Sequence, residues 1–399
     1  MNKLLPLLVL LCWYCSLQSQ SSLNQGGIVQ PTFHDTIPFE YIRGKMLVEL
    51  EIGGKLRKFI LDTGAPSAVF DYLQQDIGAE VAHRDSLRDA AGGIAELDCI
   101  ELKSFKLGQL EFRNIPALVM RAQMGSLLKC WGVDGLIGSN ALRNCILQID
   151  LKNKCIILSN QHHKLDFSNS STVPLHLSEQ QSNPFLELTL NEDHVILANF
   201  DTGDEEVFSI SKEDSAIPLE RQSARLSNIG HGKMVISFTE SQQDQWFRLL
   251  AFDTLTIGAT RFLNFTSIPT VEQNFSYVGI GLGEYGIITV DYLNKQFHFQ
   301  NYEKGNSVEA EKYTTAQGFS IYPAEDCYVI GIVWNNSPAA RLGLKSGYKL
   351  WRLEGIDFSK RTSALDCELV MGVYTLRDVI NLEYLNDEGK TICVSVGKQ

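Results

Sequence analysis

Phe59-Ile60-Leu61-Asp62-Thr63-Gly64-Ala65 constrains this chain more than any other stretch. Apolar residues run straight into an acid, a hydroxyl and a glycine. The apolar run reads as a buried strand, and the glycine as its sharp exit. An ionised carboxylate at the end of a buried strand is costly unless it finds a partner. The second half of the chain offers one in Ala198-Asn199-Phe200-Asp201-Thr202-Gly203-Asp204. Either the fold brings two acid-bearing turns together, or each is an ordinary β-turn with a local side-chain bond.

The flanking sequence repeats too, which favours the first reading. Val173-Pro174-Leu175 echoes Ile37-Pro38-Phe39. Residues 185–190 echo the strand before Gly53, and 195–200 lead into Asp201 as 58–61 lead into Asp62. Residues 255–264, around Gly258, echo 105–114, around Gly108. Residues 290–297 echo 149–156 closely. Tyr277-Val278-Gly279-Ile280-Gly281-Leu282 is set against Val133-Asp134-Gly135-Leu136-Ile137-Gly138, a looser match. Hairpins of half-buried strands are predicted in each half.

Two Asp-Thr-Gly turns, one per half and each after an apolar strand, resemble the pepsin-type and retropepsin-type aspartic proteases over residues 35–302. The resemblance implies a mainly β, two-lobed acid-protease β-barrel fold with a peptide cleft between the lobes. It implies catalytic roles for Asp62 and Asp201, with Thr63, Gly64, Thr202 and Gly203 supporting the dyad. It also implies a flap at Gly92, Gly93 and Ile94, and an apolar-apolar-Gly strand beneath each turn. Two acids held close share one proton and can exchange acid and base roles on a bound water. Such chemistry requires no metal, cofactor or nucleophilic side chain. Two departures stand out. Asp204 occupies a position where the family usually has Ser, Thr or Ala. It can raise the pair's pKa by repulsion, bind a basic substrate group, or face solvent. The loose match at Ile280-Gly281-Leu282 leaves the second turn less well supported. These departures sustain an alternative, a catalytically inactive protease-like protein that binds peptides or acts as a scaffold.

The pattern changes after Gln300. Residues 301–317 are polar and read as a linker. Gly318-Phe319-Ser320-Ile321 opens a strand, and 328–333 form a buried one. The run from Ser337-Pro338-Ala339 through Gly343-Leu344 to Gly347-Tyr348 resembles a PDZ domain of the bacterial type over residues 315–399, with Tyr348 where Asp is usual. That resemblance implies an extended peptide added to a sheet edge, its C-terminal carboxylate held by backbone amides. Gln317, Gly318 and Phe319 are the candidate carboxylate loop, with Ser320 and Ile321 on the pairing strand. Residues 375–385 read as helical and 390–396 as a closing strand. The competing reading is a module that only packs on the protease.

At roughly 100–200 residues per domain, a chain of 399 residues holds several units. The boundaries read as a signal peptide over 1–20, a first lobe over 21–168, a second over 169–302 and the PDZ-like unit over 315–399. Lys3, an apolar run from Leu4 to Cys15 and a polar stretch of small residues over 16–20 have the form of a cleaved secretory signal. The run is short for a membrane span. An exported protein, periplasmic or extracellular, is the expectation. A net charge of −12 argues against nucleic acid as a partner. The expected partners are a peptide or protein substrate and a C-terminal peptide ligand, and with both aspartates in one chain a monomer suffices. Nine cysteines fall to seven without the leader, an odd number that leaves at least one thiol unpaired, and the sequence does not pair them. No Cys/His spacing marks a zinc site; His162, His163 and His231 read as loop residues. Gly281-Leu282-Gly283-Glu284-Tyr285-Gly286 fits a dinucleotide pattern, but a β-branched run follows where a helix is needed.

Overall fold

The computed structural model describes residues 23–88, 94–121, 127–191, 193–234, 244–269, 275–310, 317–372 and 377–398. The leader over 1–20 and the flap candidates Gly92 and Gly93 lie outside them. Among the described residues no helix is long and apolar enough to cross a membrane.

The repeat read from sequence becomes a pseudo-twofold sheet joining the two lobes. Its central strands run in the order His34–Pro38, Cys155–Ser159, Ile146–Asp150, Gly286–Asp291, Gln296–Asn301 and Ser171–Leu177. The first lobe supplies the first three and the second lobe the rest. The symmetry is exact at the level of register: Pro38 pairs with Cys155, and Pro174 with Gln296. The two halves meet where Ile146 opposes Asp291. Alternation drives these strands inward; Ile149, Ile156, Val290 and Phe297 are fully buried.

Each lobe then builds a hairpin that delivers its acid. Lys45–Ile52 turns through Gly53 and Gly54 into Lys55–Asp62, and Pro184–Leu190 turns into His194–Asp201. The echoed glycines, Gly108 and Gly258, sit at matching turns between Leu107 and Leu110 and between Ile257 and Thr260. Val81–Arg88 and Ile94–Leu107 form the hairpin predicted to carry the flap, with exposed Ile94 at the described end of its second strand.

The lobes differ in what covers the corresponding second hairpin. In lobe two, Ala224–Gly232 pairs with Gln245–Phe252 and, on its other edge, with Tyr328–Trp334 of the C-terminal unit. The segment 229–233, expected at a hairpin tip, is therefore mostly strand. His231, expected in a loop, pairs with Trp246 and opposes Val333. The segment read as a linker contributes Ser307–Glu309, which pairs in parallel with Thr260–Leu263 as an edge strand of lobe two.

The C-terminal unit has its own core around Tyr328, Ile330, Leu350, Phe358 and Leu382. Of the segment 375–385 read as helical, the described residues 377–385 hold no helix: Val379–Leu385 is a strand between Lys349–Leu353 and Thr391–Gly397. Its burial alternates along the strand, the period of two that a helix cannot satisfy. The helix lies earlier, at Ser363–Val370, capped by the Thr362 hydroxyl. Cys367 on that helix is bonded to Cys130 in the 3-10 turn Leu128–Trp131 of the first lobe. Cys99, Cys145, Cys155, Cys327 and Cys393 remain thiols.

The C-terminal unit is thus tied to one lobe by a sheet and to the other by a covalent bond. Cys130→Ser is expected to cost about 2–4 kcal/mol of stability by releasing that loop constraint. Thermal melting checks this, since reductant should lower the wild-type midpoint to that of Cys130→Ser and leave the variant unmoved.

Candidate active site

Asp62 and Asp201 end the two hairpin strands, and the interlobe sheet sets the loops that follow them face to face. Leu61 and Phe200, just before the acids, are fully buried and anchor the loops. Each such side chain contributes about 1.5–3 kcal/mol of burial.

The loops are locked to each other by their threonines. The Thr63 hydroxyl donates to the Phe200 carbonyl at 2.7 Å and accepts from the Thr202 amide at 3.1 Å. Reciprocally, the Thr202 hydroxyl donates to the Leu61 carbonyl at 2.8 Å and accepts from the Thr63 amide at 3.0 Å. Both threonines are completely buried. A Cβ on Gly64 would collide with the Asp201 carboxylate, and one on Gly203 would crowd that of Asp62. Each glycine therefore floors the other loop's acid.

The carboxylates are hydrogen-bonded to each other, and burial raises both above the ordinary aspartate range. For Asp201 the charge on Asp62 adds to burial, and its pKa is pushed up to about 8. The amides break the symmetry. Asp62 Oδ1 accepts from Gly64 and Ala65, both at 3.0 Å. Asp201 Oδ1 accepts from Gly203 alone, at 2.7 Å. The better-solvated anion is Asp62, so the shared proton rests on Asp201.

Parallel strands pass beneath both loops. Gly135–Gly138 runs beside Lys55–Asp62 with Gly138 opposite Asp62, and Ser276–Gly279 runs beside His194–Asp201 with Gly279 opposite Asp201. The true counterpart of Leu136-Ile137-Gly138 is therefore Tyr277-Val278-Gly279, three residues from the alignment read in the sequence. The apolar-apolar-Gly pattern is intact, and the expected weakness at Ile280-Gly281-Leu282 disappears. Those residues form the 3-10 turn Ile280–Glu284, with a strand after it, so the dinucleotide-like glycines precede no helix.

Asp204 does not face solvent freely. Its Oδ1 accepts from the Glu206 amide at 3.0 Å and its Oδ2 from the Ser209 hydroxyl at 3.1 Å. Burial and the charge of Asp201 push its pKa up to about 6. These hydrogen bonds staple the turn over residues 204–209, and the Asp204 charge adds negative potential beside Asp201.

Several site residues escaped the sequence reading. The Lys45 ammonium donates to the Gly203 carbonyl, and Asn183 Nδ2 donates to the Gly64 carbonyl at 2.6 Å. These residues are counterparts: Leu47 opposes Ile60 and Phe185 opposes Asn199, equivalent steps before the two acids. Each reaches across the lobe boundary to the other loop. Only Lys45 is charged, and it favours the ionised pair. In lobe one, buried Asn140 Oδ1 accepts from the Ser67 amide and hydroxyl at 2.8 and 2.9 Å, while its Nδ2 donates to the Pro116 carbonyl at 2.9 Å. A polar residue two places after Gly138 was the available signal.

The C-terminal candidates lie together on one edge. Gln317 is buried, with Nε2 donating to the Arg377 carbonyl at 2.8 Å. The Gly318 carbonyl accepts from the Trp334 amide. Phe319 and Ile321 sit in Phe319–Pro323, which among the described residues pairs only with Tyr328–Trp334. Ser320 turns inward, its hydroxyl accepting from the Ile332 amide at 3.0 Å.

Two outcomes follow from this geometry. Thr202→Val orphans the Thr63 amide and the Leu61 carbonyl, at roughly 1–3 kcal/mol for each buried group, whereas Thr202→Ser should restore most of the loss in urea titrations. Asp201 holds its proton in the folded state up to about pH 8, while an unfolded aspartate releases it near 4. Folding therefore binds the extra proton, and stability contributed by that group falls as pH rises between those values. Asp201→Asn should melt above wild type at neutral pH, by on the order of a few kcal/mol, and match it near pH 4.

Residues 48–141 match the family model described as aspartyl protease. No curated protein matches the chain. Among solved structures, a retropepsin-like aspartic protease from Rickettsia conorii is 22 % identical, covers 32 % of this chain and 94 % of that one, and has a TM-score of 0.25. An aspartic proteinase from Irpex lacteus is 11 % identical, covers 67 % of this chain and 97 % of that one, and has a TM-score of 0.41. Through the segment 48–141, which carries the first Asp-Thr-Gly loop, the chain is similar to the aspartyl proteases.

Proposed function

We propose that the protein is an aspartic endopeptidase that hydrolyses peptide bonds with water activated by Asp62 and Asp201. The observation that carries this reading is the pair of hydrogen-bonded carboxylates on two interlocked Asp-Thr-Gly loops, one of them raised to about pH 8. Ionised Asp62 takes a proton from a bound water as the water oxygen attacks the scissile carbonyl carbon. Asp201 gives its proton to the carbonyl oxygen. Collapse of the resulting diol returns a hydroxyl proton to Asp201, while Asp62 passes its proton to the leaving nitrogen and the C–N bond breaks. Each proton transfer of this sort contributes roughly 10²–10⁴-fold.

The C-terminal unit is proposed as a PDZ-type module that recruits a peptide by its C-terminus. The edge of Phe319–Pro323 that no described strand pairs, with Gln317 and Gly318 at its start, supports this. We further propose export to the periplasm or extracellular space after removal of residues 1–20, and a monomeric enzyme with no cofactor.

Cleavage of a mixed peptide library from acid to mildly alkaline pH tests the central reading. Wild type should cut, a statine-type inhibitor should block it, and Asp62→Asn and Asp201→Asn should each lose at least 10³-fold in kcat/KM. If all three proteins are folded and silent at every pH, the endopeptidase is replaced by a peptide-binding protein. The alkaline limb should follow loss of the Asp201 proton near pH 8. Asp204→Asn should move that limb to lower pH, on the order of one unit, by removing a neighbouring negative charge.

A further inference from the structure

The interlobe sheet carries a cluster that the proposed chemistry leaves unused. Asp291 ends Gly286–Asp291, and His298 lies on the paired strand Gln296–Asn301. His162 opens the 3-10 turn His162–Lys164 that follows the last strand of lobe one. One donor atom from each of the three lies within 4.8 Å of the others. His162 thus has company after all, brought from the far end of lobe two.

His298 is 5 % exposed, yet its Nε2 has no hydrogen-bond partner among the described residues. Its Nδ1 lies 2.9 Å from the Thr172 hydroxyl. With Nδ1–H donated to Thr172, the lone pair sits on Nε2, the arrangement that orients metal-binding imidazoles. Asp291 is fully buried. Its Oδ1 accepts from the Leu293 and Asn294 amides, and its Oδ2 from Asn294 Nδ2, which leaves Oδ2 a lone pair to offer. The Phe167 ring lies 4.4 Å from each imidazole and walls the cluster, while exposed His162 gives access.

The internal repeat serves as a control. Asp150, the counterpart of Asp291, accepts from the amide and side chain of Asn153 in the same way. The carboxylate alone is therefore a turn staple in both lobes. His298 opposes Thr289, and the equivalent position opposite Gln148 in lobe one is Ile157. An apolar residue serves the sheet there. A buried imidazole with an orphaned nitrogen is a cost that isoleucine avoids, so its presence calls for a ligand.

We propose that His162, Asp291 and His298 form a binding site for a divalent transition metal, with zinc as the best-fitting ion. Two imidazoles and a carboxylate match zinc's preferences, and a fourth position is left for water. The bound ion would clamp the connector after lobe one onto the strands of lobe two. A water bridging Asp291 and His298 would also satisfy the nitrogen, and the experiment separates the two.

The mature protein, stripped with a chelator, is titrated with zinc against a chromophoric competitor. One zinc per chain should bind, and zinc should raise the melting midpoint. His162→Ala changes an exposed side chain and should weaken binding at least tenfold. His298→Ile, which installs the lobe-one residue, should abolish stoichiometric binding without loss of the circular dichroism of the native sheet. Cobalt should give visible d–d bands with no thiolate charge transfer. The site is overturned by absence of stoichiometric zinc at micromolar concentration, by binding unchanged in His162→Ala, or by a thiolate band that assigns the metal to a cysteine.

Discussion

The reciprocal hydrogen bonds between Thr63 and Thr202 are the constraint on which the site depends. Each hydroxyl bonds both a carbonyl and an amide of the opposing loop, so neither loop can move without orphaning buried groups on both sides. The interlobe sheet brings the loops together; the threonines fix their separation. Only at that separation can each glycine lie under the other loop's carboxylate and two acids share a single proton.

The electrostatics follow from the same frame. Two like charges a few ångströms apart in a half-buried site repel by several kcal/mol at an effective dielectric near 20. One proton removes that repulsion, and the unequal amide supply decides where it stays. Lys45 and Asn183 occupy equivalent places and contact equivalent carbonyls, but only one brings charge. Asp204 sets a negative charge against that of Lys45 on the same loop. The two lobes are alike in backbone and unlike in field, which is what a pair with separate acid and base roles requires.

The backbone symmetry was legible because its signals are local. Alternation, Gly turns and repeated Asp-Thr-Gly identify strands and their order. The details that failed depend on partners the sequence does not display. Matching glycines alone misplaced the strand under Asp201 by three residues, since 277–283 contain three glycines in alternation and only the pairing of Gly279 with Asp201 selects one. The segment 375–385 reads as helix, yet Val379–Leu385 is a strand whose alternating burial is written in its side chains. Cys130 and Cys367 are 237 residues apart, and spacing carries no information about such a bond. Asn140, Lys45 and His298 look ordinary until the fold supplies their partners.

The C-terminal unit reaches the acids through a continuous set of bonds. Cys367 is bonded to Cys130; the neighbouring Trp131 indole donates to the Ile42 carbonyl at 2.8 Å. Ile42 pairs with Lys45, whose ammonium donates to Gly203 beside Asp201. On the other side, Tyr328–Trp334 extends the sheet of the lobe-two hairpin. Contiguity alone does not make a switch, because coupling requires an element with two arrangements. The side chains that carry these links, Cys367, Cys130, Trp131 and Lys45, are all partly buried. They join the contact of Lys45 with the second loop to a disulfide formed with a unit whose described residues lie outside both Asp-Thr-Gly loops.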